Sequence, residues 1–71
     1  MDKVINNVDG FTIGDRIEII EPNIGNDYLG EQGTIEKFKV NAHGIILAVI
    51  ALDNRGTSTS FYTKELQKIG N

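Results

Sequence analysis

Gly33-Thr34-Ile35-Glu36-Lys37-Phe38-Lys39-Val40, Asn41-Ala42-His43-Gly44 and Ile45-Ile46-Leu47-Ala48-Val49-Ile50-Ala51-Leu52 read in turn as strand, turn and strand. In the first run Ile35 and Phe38 stand three apart, so strict alternation fails. A bulge near Glu36 or Lys37 would return both to one face. The second run is apolar throughout and rich in β-branched residues, as expected of a strand covered on both faces or keeping one face for a partner. With Ile46, Ala48, Ile50 and Leu52 toward a core, Ile45, Leu47, Val49 and Ala51 point away. That outer row is either covered, by the chain's N-terminal arm (the reading preferred here) or by a bent neighbouring strand, or left as an interaction patch or homodimer face on the Ile45–Leu52 strand.

Downstream, Asp53-Asn54-Arg55-Gly56 has hairpin chemistry, with Gly at the left-handed position. Thr57 to Tyr62 carries little apolar surface before its end and reads as an edge strand, Phe61 inward and Tyr62 outward. Thr63 is placed to cap a single turn, Lys64-Glu65-Leu66, ahead of a last strand at 67–69. Upstream, Arg16 to Ile19 alternates as a half-buried strand, and Pro22 ends it. The loop 22–30 follows, rich in turn formers. Residues 1–10 are polar apart from Val4, Ile5 and Val8 and read as a loose arm that adds at most a short edge strand. The barrel proper is assigned to 11–71. Five short strands cannot bury a core as a flat sheet of this size, so an all-β small barrel with a single 3-10 turn before its last strand is expected. In an up-and-down meander the 22–30 loop and the 53–56 turn share one end and the 41–44 turn takes the other.

Composition narrows function more by exclusion than by assignment. The chain has 71 residues, 39% apolar and 24% charged, enough for one small domain with a thin stability margin. It has no cysteine, hence no disulfide and no thiolate metal site. The uncharged apolar run 44–52 is far below the roughly 20 residues of a membrane span, and no secretory signal pattern is present. A cytoplasmic location is the default. Ten acidic against seven basic residues leave a net charge of −3, whereas nucleic-acid binders concentrate cations to displace counterions. Only Lys37 and Lys39 form a local basic pair.

The segments Ile13-Gly14-Asp15-Arg16-Ile17, Leu29-Gly30-Glu31-Gln32-Gly33-Thr34-Ile35, Val49-Ile50-Ala51-Leu52-Asp53 and Lys64-Glu65-Leu66-Gln67-Lys68-Ile69 resemble an SH3-like barrel. The likeness is narrowest to the KOW type of transcription elongation and ribosomal proteins, and runs from about Phe11 to Ile69. Its glycine-turn-strand element at 30–35 is the most specific part. The resemblance implies binding without chemistry, of RNA, proteins or peptides through loops. Two departures matter. Glu21, Asp27 and Glu31 surround the first loop, where RNA-holding KOW domains are basic, and the 53–56 turn has no aromatic for a methyl-lysine cage.

No catalytic set emerges. His43 stands alone in a turn, the Ser/Thr strand has no base beside it, and the glycines lack a phosphate-loop tail. Asp53-Asn54 and Asn26-Asp27 are explained by turn formation and do not follow an EF-hand spacing. The expectation is a non-enzyme without metal or cofactor, a small stand-alone bacterial or phage protein. It would bind a protein partner through Asp27, Tyr28, Leu29, Asn54, Arg55 and Tyr62. Tyr28 has two readings, an exposed anchor or a plug over the barrel mouth. The alternatives are an RNA- or DNA-contacting module using Lys37, Lys39 and Arg55, with Tyr28 stacking on a base, and a structural subunit of a larger assembly.

Overall fold

The computed structural model describes residues 5–21 and 26–70. Val4 and Pro22, each given a role above, and residues 23–25 of the 22–30 loop lie outside them. The strands are β1 (Asn7–Val8), β2 (Phe11–Thr12), β3 (Arg16–Ile19), β4 (Gln32–Val40), β5 (Ile46–Leu52), β6 (Ser58–Tyr62) and β7 (Leu66–Lys68). Two 3-10 turns, Asn26–Tyr28 and Thr63–Glu65, complete the regular structure. The protein is all-β. β1 and β2 form a hairpin, and the other strands make one antiparallel sheet in the order β6-β5-β4-β3-β7. No helix among the described residues is long and apolar enough to cross a membrane.

Laid flat, five strands would span about 19 Å at the usual spacing. Tyr62 ends one edge strand and Leu66 opens the other, and four residues of chain reach at most about 14 Å. The sheet must therefore curl until its edges approach. It does not close: β6 and β7 share no ladder among the described residues, so the sheet is open where a closed barrel was expected. The curl encloses one core of Ile17, Ile19, Ile35, Phe38, Ala48, Ile50, Leu52, Phe61 and Leu66. Register explains its packing, because Ala48 lies opposite Phe38 on one side and Phe61 on the other. One small residue leaves room for two rings. The expected bulge is present, as a register shift between Ile35 and Lys37, and it is what lets Ile35 and Phe38 share that core.

Four local expectations need correcting. Residues 7–12 are no loose arm: Asp9 and Gly10, with φ of 52° and 85°, join β1 to β2 with Asn7 opposite Thr12 and Val8 opposite Phe11. Positive φ at both central residues is what a two-residue hairpin turn demands. Nor does this hairpin cover the whole outer row of β5: Ile5, Val8 and Phe11 pack against the inner core cluster, and in that row Val49 is buried at 8% exposure while Ile45 is 44% exposed. Thr63 is the first residue of its 3-10 turn, not the cap; the Tyr62 N–H instead donates to the Glu65 carboxylate, which is buried at 3% exposure. The final strand starts one residue earlier than expected, at Leu66. β5 itself is an interior strand with both ladders occupied, so only its outer face could meet another chain.

Candidate functional site

Two ends of the curled sheet gather side chains. At the first, the turn after β5 meets the segment leading into β4, as the meander requires. Arg55 donates to Glu31 Oε2 at 2.7 Å and to the Asp27 carbonyl at 2.9 Å. Its guanidinium carbon lies 4.5 Å from the centre of the Tyr28 ring, and Tyr28 in turn stands edge-on to Phe61, 5.4 Å between centroids at 78°. The hydrogen bond to Glu31, before any other cause, raises Arg55 above its ordinary value. Tyr28 is thus half-buried, resting on the core with Arg55 over it: the plug arrangement rather than the free anchor. Leu29 beside it is 54% exposed.

On the outer face nearby, Arg16 donates to the Thr34 hydroxyl at 3.0 Å and to both Asp53 oxygens, strapping β3, β4 and the end of β5 together. The Arg16 hydrogen bond, and behind it the Arg16 charge, holds the Asp53 carboxyl below the ordinary 3.8 against an opposing desolvation. A carboxyl whose folded pKa is depressed contributes fully above its unfolded value, and the contribution is lost as pH falls through the folded one. Urea midpoints of the natural chain and of Asp53→Asn should therefore differ above about pH 4 and converge in stronger acid. A gap independent of pH would mean that ionisation of this pair adds nothing.

The second end is concave. Val8 and Asp9 of the hairpin, Gly44 to Ile46 at the start of β5, and Tyr62 to Lys64 at the end of β6 line a groove of about 660 Å³. That volume lies within the range of ligand sites. The Thr63 hydroxyl donates to Asp9 at 2.6 Å, which ties hairpin to sheet across one wall. Lys64 holds its ammonium 5.8 Å from the Tyr62 ring centre. Ile45 on the groove and Val40 near it are 44% and 54% exposed, so apolar surface and concavity coincide here. The turn that positions Ile45 is built by Asn41, whose Oδ1 accepts the N–H groups of His43 and Ile45.

The chain matches no family model, no curated protein and no solved structure. Its site must be read from geometry.

That geometry divides the sequence-predicted residues. Asp27, Tyr28, Leu29, Asn54 and Arg55 fall at the first end, in the 26–30 segment and the turn after β5. Tyr62 lies opposite Leu47 and belongs to the groove. Lys37 and Lys39 are exposed on the outer face of β4, opposite Val49 and Leu47. Arg55 is not with them; it is held at the first end by Glu31. His43 is exposed in its turn, and no three His, Cys, Asp or Glu gather among the described residues. Val8, Asp9, Thr63 and Lys64 carry no binding role in the sequence reading, and Ile45 enters it only through the outer row of its strand. The Asp9-Gly10 pair between Val8 and Phe11 was the available signal, since Asp-Gly between apolar residues marks a two-residue hairpin.

Proposed function

We propose that this chain is a non-catalytic, SH3-like interaction module that holds a segment of a protein partner in the groove between the N-terminal hairpin, the 41–45 turn and the Thr63–Glu65 turn. The SH3-like part of the reading is supported by a four-strand meander, a 3-10 turn and a fifth strand returning to pair with β3. The observation that carries the binding site is the coincidence of Ile45 and Tyr62 with a groove of about 660 Å³. A lining that mixes Val8, Ile45, Ile46 and Tyr62 with Asp9, Thr63 and Lys64 suits an extended segment with apolar side chains and a polar backbone. The first end is a weaker candidate, because Tyr28 and Arg55 already satisfy one another.

Peptides selected from a random display library against the folded protein test this. Their amide shift perturbations should centre on Val8, Ile45 and Tyr62, and Tyr62→Ala should weaken binding about tenfold or more while leaving the rest of the amide spectrum intact. Perturbations centred on Leu29 and Asn54 would move the site to the first end. The nucleic-acid reading now rests on Lys37 and Lys39 without Arg55. It predicts oligonucleotide retention at low salt with a steep salt dependence.

A further inference from the structure

β6 is an edge strand with no ladder on its outer side among the described residues. Leu52 N–H donates to the Thr57 carbonyl, and in that register Ile50–Thr59 and Ala48–Phe61 are the other pairs that bond across to β5. The N–H and C=O groups of Ser58, Ser60 and Tyr62 must then point away from β5. Tyr62 confirms this phase, since its N–H is taken by Glu65. Ser58 and Ser60 have no backbone partner among the described residues. Natural sheets usually guard such an edge with lysine, proline or a bulge. Ser58-Thr59-Ser60-Phe61-Tyr62 has none of these, although the other edge strand, β7, is three residues long and carries Lys68.

We infer that β6 pairs antiparallel with β6 of a second copy of this chain, about a two-fold axis at Thr59. In that register Ser58 faces Ser60 of the other copy, so the outward groups of both serines are used twice over, giving four hydrogen bonds. Thr59 faces its own counterpart, a favourable cross-strand pair. Tyr62 falls opposite Gly56, which has no side chain to obstruct it. The strand is uncharged, so pairing with itself sets no like charges opposite one another. This contact shares Tyr62 with the peptide groove but does not depend on that groove holding a peptide.

Sedimentation and amide hydrogen exchange of the natural chain up to about 1 mM test the inference. A monomer–dimer equilibrium is expected, with protection rising with concentration at Ser58 and Ser60, and with intermolecular NOEs between Thr59 α-protons in a mixed-isotope sample. Ser60→Pro, which removes one outward N–H per chain, should leave the chain monomeric, whereas Ser60→Ala should still dimerise. If Ser60→Pro does not fold, the exchange measurement on the natural chain decides alone. A monomer throughout, a dimer whose NOEs map to the outer face of β5, or protection at Ser58 and Ser60 independent of concentration would overturn it.

Discussion

Phe61→Ala is expected to destabilise the protein by about 3–5 kcal/mol. Phe61 is 1% exposed and lies beside Ala48, whose methyl group cannot fill the space the ring would vacate. The loss reaches beyond the cavity, because the Tyr28 ring rests edge-on against Phe61 and carries Arg55 above it. A chain of this size has a total stability of roughly 4–10 kcal/mol, so the variant should lose about a third of it or more. Urea titration followed by circular dichroism measures the effect. Phe61→Leu should retain most of the stability, since it keeps apolar volume on the core side. A loss below about 1 kcal/mol for Phe61→Ala would mean that the ring does not anchor the core.

Gly33→Ala should cost about 3 kcal/mol through an opposite fault, too little space. Gly33 stands where three strands meet, opposite Ile17 on β3 and Leu52 on β5. A Cβ there would lie 2.5 Å from the Ala51 carbonyl oxygen and 2.6 Å from Ile50 Cγ2, and the first of these is backbone that cannot turn aside. Accepting the methyl group requires β4 and β5 to separate at the point where the sheet curls. Thermal melting should fall by roughly 12–24 °C, with amide protection lost first along the β4–β5 ladder. A midpoint within a degree or two of the natural chain would show that the strands are not in such close approach.

Much of this architecture was legible because it is local. Alternation placed Phe61 inward, the three-residue step from Ile35 to Phe38 called for the bulge, and Asn41 and Gly44 marked their turn. The hairpin at Asp9-Gly10 has its own local mark in the flanking Val8 and Phe11, but the polar residues around it give the segment the composition of a loose arm. The groove was less accessible to such reading. The Asp9–Thr63 bond joins residues 54 apart in sequence, and no periodicity in either segment encodes the other. Tyr28 likewise could not be placed from its loop alone: whether it faces water or the core depends on Phe61 arriving from β6.

From the order of residues alone came the five strands of the larger sheet, the turns between most of them, the bulge and the division of each strand into an inner and an outer face, because backbone sterics and side-chain alternation act over a few residues. The tertiary fold decided which loops meet, which rings touch, where a concavity forms and which edge is left unpaired. Those depend on how far a five-stranded sheet curls around its own core, and that is set by packing among side chains distant in sequence.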